Sequence, residues 1–586
     1  MLFGLQVTDS QWASYTRDVL TWMALHRRFR PQVEGDMISL NLDDGVHGAC
    51  NPAISKTKGS GISGTRSIRT TPNPVMAYVV LACTALFAVA SARSVEHVLR
   101  GGHLPLEGMV LTIFTSIVET GASFYAFAFI FSAIAYFLMS DREPRQGELP
   151  SPMPPIGILY LCCGDLDVAA LRSLCELRYR GKIHLVVHDD STSLASQREV
   201  DSALADLPAP ENFELHLLRR PGKSGGKAGA VNYAIEKTGH LYPYFLLCDN
   251  DSTIVDPAII DKVLPRFEDS RVAVVQCRCA AVVSDYDSPI LRLVSRSIDV
   301  FDLFLSVCAR FGWRMFIGHN AFLRTEAVQA VGGLTPGFFS DDLDLVVRLN
   351  LRGYTVLYAR DTVIGEKHPS SYDAFRRRTY KWSYGCMQML KAHAGTVLTS
   401  NRFTFAEKVS FFYFTGFYVG QVILLLYIAM RFLVAPFYLS SAWPNIPLSL
   451  LTGTVLLGLI YLPTCSYFLK NQRFRGALGS VILCGLVYGT TDFVCAAGVW
   501  DCLRGKRRRW VPTNARTEDS RQSAVYWEAL FGALLLSIPL MKFPALLYCP
   551  CSYLFAGKFL VNPAMSLLYR DQEVAAQRPA ASEVAA

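Results

Sequence analysis

The sequence predicts an α/β domain, a mostly parallel sheet with helices on both faces, inserted in an α-helical multi-pass membrane domain. Two observations carry this. Between about residues 156 and 393, short apolar runs ("IGILYLC", "KIHLVVH", "FELHLLR", "YFLLC", "VAVVQC") alternate with helical stretches, the pattern of parallel strands joined by crossover helices. On either side lie apolar stretches, nearly free of charge, close to the ~20 residues that cross a bilayer as a helix. The bulk numbers agree: the 586 residues are 51% hydrophobic and only 18% charged. A chain this long also exceeds the roughly 250–300 residues at which one core stops growing.

The apolar stretches occupy 75–92, most of 109–139, 409–430, 446–469, 524–541 and 543–569, about six transmembrane helices. Residues 476–500 are also long enough, but both flanks are basic: Lys470, Arg473 and Arg475 before, "RGKRRRW" (504–510) after. Basic flanks belong on one side of the membrane, so this segment is expected to lie in the interface. The resulting division is a cytoplasmic, partly disordered region at 1–74, two spans in 75–139, and a cytosolic domain at 150–400 ending in interfacial helices. Two spans in 401–470, an interfacial helix and loop at 471–523, two spans in 524–569 and a disordered tail at 570–586 follow. The loop "APFYLSSAWPNIP" lacks Lys and Arg, as an outer loop should. The expected location is a cell membrane, plasma or inner, with the lipid bilayer as partner.

Net charge is +8, and the basic residues gather at those membrane edges. No basic, aromatic-interleaved stretch points to nucleic acid. The sixteen Cys are scattered without a CxxC pair, so neither a zinc nor a disulfide framework is expected.

Within the α/β region, acids stand at strand ends and helix starts. "VVHDDSTS" places Asp189 and Asp190 after the second strand, "FLLCDNDSTI" places Asp249 and Asp251 after a later one, and "FFSDDLDLVVRL" places Asp341 and Asp342 at a helix start. Each pair alone is compatible with a cap or an Asx turn. Three pairs in one domain, with "GKSGGKAGAVN" between the first two, point to phosphate and metal. Carboxylates at i and i+2 across a turn can face one hard cation, and the Gly-rich stretch with Lys223 and Lys227 lets backbone and positive charge approach phosphate. No GxxxxGK[ST] is present, which excludes a P-loop.

From 156 to 513 these residues resemble the membrane-embedded, processive inverting glycosyltransferases of family 2 typified by cellulose, chitin and hyaluronan synthases, whose catalytic domain has a GT-A fold. The resemblance implies that Asp189 and Asp190 bind the uracil of a UDP-sugar, with Asp190 the preferred contact. Lys227 of "KAGAVN" and the D-x-D acids Asp249 and Asp251 would hold the nucleotide and an Mg2+ or Mn2+ ion. Asp341 and Asp342 match the family's paired acids, with Asp342 as catalytic base. "GHNAFLR" supplies Gly318, His319 and Asn320 to the acceptor side. The family's Q-x-x-R-W is replaced by "RTYKW", so Arg378 and Lys381 stand for Gln and Arg while Trp382 is kept. That departure bears on processivity and sugar identity. "RWVPTNA" is similar to the gating loop, with Trp510 and Thr513 at its matching positions.

The expected activity is transfer of sugar from a nucleotide donor to a growing glycan acceptor with inversion, coupled to export through the protein's own helices. Transfer of a single sugar to a lipid acceptor at the cytoplasmic leaflet is the alternative, and an export subunit with an inert transferase domain a third. Trp382 can be a sugar platform or an interfacial anchor. Glu119 and Asp492 lie within apolar stretches, where ionisable groups mark polar pathways or partners. Homo-oligomerisation and export partners stay open.

Overall fold

The computed structural model describes residues 71–101, 105–140, 147–282, 294–369, 371–434, 437, 462–471, 479, 481, 491–506, 523–542 and 555–561. They belong to one compact unit, Ser67–Ala586. Residues 1–70, most of the 435–447 loop, most of the last expected span, the tail, and Trp510 and Thr513 lie outside the described residues.

Two long apolar helices come first, α1 (Val75–Arg100) and α2 (Leu106–Leu138). At ~1.5 Å per residue α2 is about 50 Å long, more than the ~30 Å of a bilayer's hydrocarbon layer, so one end can project from a membrane. Its last turn is held to the α/β domain: Tyr136 Oη donates to Asp302 Oδ2 at 2.7 Å and accepts from Arg360 Nη2 at 2.7 Å. Lys470 donates to the carbonyls of Tyr136 and Met139 at 3.0 and 2.7 Å, closing the helix end with a cation, as the helix dipole favours.

The α/β domain then runs β1 (Ile156–Cys162), α3 (Val168–Leu174), β2 (Ile183–Asp189), α4 (Leu194–Ala205), β3 (Phe213–Leu218), α5 (Gly226–Thr238) and β4 (Tyr244–Cys248). Next come β5 (Thr253–Ile254), α6 (Ile259–Val263), β6 (Val272–Ala281), α7 (Phe301–Phe311), β7 (Ala321–Arg324), α8 (Thr325–Ala330), α9 (Asp341–Leu351) and β8 (Thr355–Glu366). The sheet order is β3-β2-β1-β4-β7-β6-β8-β5. Strands β3, β2, β1 and β4 are parallel, as is the β6–β8 pair, but β7 is antiparallel to both its neighbours and β5 to β8. The sheet is therefore mixed but still mostly parallel: six of its eight strands run one way, and β7 and β5 oppose them. An antiparallel strand needs no crossover helix, and the four residues of β7 are too few to announce themselves in an apolar pattern.

Both faces are covered, as expected. One core cluster packs α5 (Val231, Ala234) and α9 (Leu345, Val346, Leu349) on the face of β1 that carries Leu159. A second packs α3 (Leu171, Leu174) and α6 (Ile259, Ile260) on the face that carries Ile158 and Tyr160.

Helices α10 (Tyr372–Thr399), α11 (Phe405–Thr415) and α12 (Phe417–Ile428) continue the chain. The expected span at 409–430 is broken between α11 and α12. Phe411 of α11 is fully buried in the first of these two cores, edge-on to Trp313 at 5.2 Å, so the start of this stretch serves protein packing rather than lipid. Among the described residues, three helices are long and apolar enough to cross a membrane: Val75–His97, Leu106–Leu138 and Phe417–Val434. Helices α13 (Asp492–Leu503) and α14 (Ser523–Lys542) follow. Asp492, at the start of α13, accepts from Lys558 Nζ at 2.5 Å with both side chains buried, and Glu119 is buried on α2.

Candidate active site

The chain passes from β1 to β2 and β3 on one side, then returns to place β4 on the other side of β1. At such a switch point the loops after adjacent strands separate and leave a crevice. A cavity of about 1250 Å³ opens there, lined by Asp165, Asp190, Lys227, Asp249, Asp251, Gly318, His319, Asp341, Asp342, Glu366, Arg378, Lys381 and Trp382.

After β2, the paired acids diverge. Asp190 lines the cavity and takes a bidentate contact from Arg220, at 3.0 Å from Nε and 2.6 Å from Nη2. Asp189 is buried beneath it, accepting from Arg219 Nε at 2.7 Å and the Ser191 amide at 2.8 Å. Burial alone would push Asp189 upward, but those donors hold it below the usual carboxylate range. It is absent from the cavity wall, so its place is to hold the turn. Lys223 donates to the Asp190 carbonyl.

The Gly-rich loop enters α5 through Gly225 and Gly226, both at positive φ, and delivers Lys227. Its ammonium donates to Asp249 Oδ1 at 2.5 Å. Burial opposes that charge, and Asp249, Asp341 and Asp342 outweigh it, so Lys227 titrates above its ordinary value. The D-x-D turn after β4 is closed by Ser252, whose hydroxyl accepts from the Asp249 amide at 3.0 Å while its own amide donates to the Asp249 carbonyl at 3.1 Å. Asp249 Oδ2 lies 3.8 Å from His319 Nδ1, and His319 Nε2 lies 3.1 Å from Glu366 Oε2. Burial disfavours a charged His319, but Glu366 and Asp249 raise it well above the ordinary imidazole value. Burial, then Glu366 and Asp249, push Asp251 up to about 7.

Asn320 is buried in a left-handed conformation (φ 53°). Its amide donates to the Leu247 carbonyl at 2.7 Å and its carbonyl accepts from Cys277 at 3.1 Å, knitting β7 to β4 and β6. It does not line the cavity; Gly318 and His319 do. At the start of α9, Asp342 is pushed up to about 6 by burial, and Asp341 to about 7 by burial and its neighbour Asp342. Helix α10 approaches this loop so closely that a Cβ on Gly385 would meet the Ser340 backbone nitrogen at 2.9 Å. The same helix presents Arg378 over the Trp382 ring at 4.6 Å, and Phe301 packs edge-on to Trp382 at 5.7 Å.

Glu366, Arg220 and Asp165 escaped the sequence reading. Glu366 ends β8 just as Asp249 follows β4, so an acid closing an apolar run was a usable signal. As a donor set, the carboxylates of Asp249, Asp251 and Glu366, all on the cavity wall, fit a hard divalent cation, which takes carboxylate oxygen and relieves their mutual repulsion.

A doubly covered α/β sheet with acids and a Gly-Lys loop at its switch point defines a nucleotide-binding transferase arrangement. Residues 244–489 match the model of glycosyl transferase family group 2. The chain is 27% identical over 294 residues to a probable glucomannan 4-beta-mannosyltransferase 7 of Oryza sativa subsp. japonica, covering 48% of this chain and 48% of the relative. It is 25% identical over 282 residues to glucomannan 4-beta-mannosyltransferase 1 of the same plant, covering 47% and 53%. The chain thus spans about half the length of the curated relatives it matches. Among solved structures, it is similar to the mannosyltransferase PcManGT from Pyrobaculum calidifontis in complex with GDP-Man and Mn2+, with TM-score 0.47 and 16% identity over 68% of this chain and all of that one.

Proposed function

We propose that the protein is a membrane-integrated inverting hexosyltransferase that extends a β-linked glycan from a nucleoside-diphosphate sugar and passes the product between its own helices. One observation carries this reading. The cavity that holds Asp342 and Trp382 is also lined by Ala122, Tyr125 and Phe129 of α2 and by Phe417, Gln421 and Leu424 of α12, so the acid cluster and the helices share one continuous space rich in aromatic rings.

In the reaction, the acceptor hydroxyl oxygen attacks the anomeric carbon as the bond from that carbon to the diphosphate oxygen breaks. The hydroxyl proton goes to the Asp342 carboxylate, a general-base contribution of ~10²–10⁴ in rate. Lys227, Lys381 and protonated His319 face the departing diphosphate with fixed positive charge, and such preorganised charge is commonly the largest catalytic term. A divalent cation, Mg2+ or Mn2+, held by Asp249, Asp251 and Glu366 would add charge neutralisation at the leaving group. Asp190 and Arg220 border the base end of the donor site, and Trp382 offers its ring to the acceptor sugar. The relatives' names favour a mannosyl or glucosyl donor and a 1,4 linkage, carried on either GDP or UDP.

Proteoliposomes containing the full chain, given labelled GDP- and UDP-hexoses, test this. A ladder or high polymer inside the vesicles is expected. A single glycolipid product would establish the one-sugar alternative, and donor hydrolysis without glycan would end the synthase reading.

A further inference from the structure

We infer that His184, Glu214 and His216 form a transition-metal site, matched to Zn2+, that clamps β2 to the edge strand β3. The parallel register places His184 directly opposite Glu214, with His216 two residues on and so on the same face. His184 Nδ1 lies 3.1 Å from His216 Nε2 and 3.9 Å from Glu214 Oε2, and His216 Nε2 lies 3.4 Å from Glu214 Oε1. Ligands at Zn–N and Zn–O bonds of about 2.0–2.1 Å in a tetrahedral centre stand about 3.3 Å apart; the two imidazole nitrogens and the His216–Glu214 pair have this spacing, and one ligand atom from each of the three residues lies within 4.8 Å of the others. Two imidazoles and one carboxylate is a borderline-soft set that suits Zn2+ better than Mg2+.

The burial pattern supports a selected polar cluster. On β3 the flanking Leu215 and Leu217 are exposed, whereas His216 is half-buried and His184 fully buried, the reverse of what apolar burial alone produces. Glu214 is paired with Lys182, whose ammonium would leave as the cation arrives, and the partial exposure of Glu214 and His216 gives an entry path and a fourth position for water. The clamp sits about five residues, ~16 Å, upstream of Asp189 and Asp190 on β2, and close to Arg219 and Arg220 beyond β3. It would fix the pair of strands that brings those acids and arginines together. The inference does not depend on the proposed reaction.

The detergent-purified full chain, stripped with chelator and dialysed against Zn2+, is expected to hold one more zinc per chain than His216→Ala, and to unfold several degrees higher with zinc than without. Co2+ in its place should give the visible absorption of a four-coordinate N/O site, retained in Asp251→Asn and lost in His216→Ala. Glu214→Gln serves if His216→Ala does not fold. Equal zinc content in wild type and either variant, or loss of the Co2+ spectrum in Asp251→Asn instead, would overturn the site.

Discussion

Gly318 lies against the Asp342 carboxylate: a Cβ built on Gly318 would meet Asp342 Oδ2 at 3.1 Å, and the residue sits at φ +89°. A side chain there both strains the backbone, by ~1–2 kcal/mol, and pushes the acid out of line. Gly318→Ala is therefore expected to lower kcat by ~10–100-fold, the scale of a small misplacement of a reacting group, with donor affinity nearly unchanged. Single-turnover transfer beside equilibrium donor binding measures both, and equal losses would mean that Gly318 supports the donor site instead.

Asp342→Asn keeps the shape and removes the proton acceptor. Transfer should fall by ~10²–10⁴ while nucleotide binding persists. Loss of nucleotide affinity in place of rate would reassign Asp342 to the donor.

The pH profile carries a second signature of these acids. A base must be ionised to act, so kcat/KM should rise with pH across about 6 to 7, where burial has moved Asp342 and Asp341; the two titrate together, and the limb belongs to the pair. Burial, then Arg377, lowers Lys381 to about 8, so loss of its charge should bring the rate down again above that pH. Lys381→Arg should move the alkaline limb upward and leave the acid limb in place. An acid limb near the ordinary ~4 of a free carboxyl would contradict the buried environment.

Much of this site was readable from residues alone because acids that interrupt apolar runs must lie at the wet ends of strands. Asp190, Asp249, Asp251 and Asp342 all line one cavity for that reason. Spacing could not say which acid of the pair at 189 and 190 turns inward, since that depends on Arg219 and Arg220, thirty residues away in sequence. Nor could apolar length distinguish lipid from protein around 409–415, where Phe411 meets the core. The reversal of β7 was hidden for a similar reason: direction in a sheet is settled by tertiary pairing, and four residues carry no record of it.

Arg376 of α10 and Glu528 of α14 form a bidentate pair, at 2.9 Å from Nη1 and 2.7 Å from Nη2, with Glu528 fully buried. Removing one member leaves the other charge without its partner, which typically costs ~3–5 kcal/mol. Glu528→Ala should lower the unfolding temperature markedly, and the double change Arg376→Met with Glu528→Leu should recover most of it. A double variant as unstable as the single one would show that the pair matters for more than mutual neutralisation.

Trp382 and Arg378 separate elongation from donor chemistry. The Arg378 guanidinium lies over the Trp382 ring, is about nine-tenths buried, and leaves Nε and Nη2 without hydrogen-bond partners among the described residues. Buried donors of this kind normally find an acceptor, and a sugar hydroxyl on the Trp382 face would supply one. Trp382→Ala should therefore reduce chain extension by at least tenfold while donor hydrolysis changes less than threefold, since stacking of a nucleobase on an aromatic side chain, a comparable ring contact, is worth ~1–3 kcal/mol. Arg378→Gln replaces the guanidinium by an amide and should alter product length rather than donor turnover. If both variants lose hydrolysis and extension in parallel, α10 supports the donor site, and Trp382 is an anchor rather than a platform.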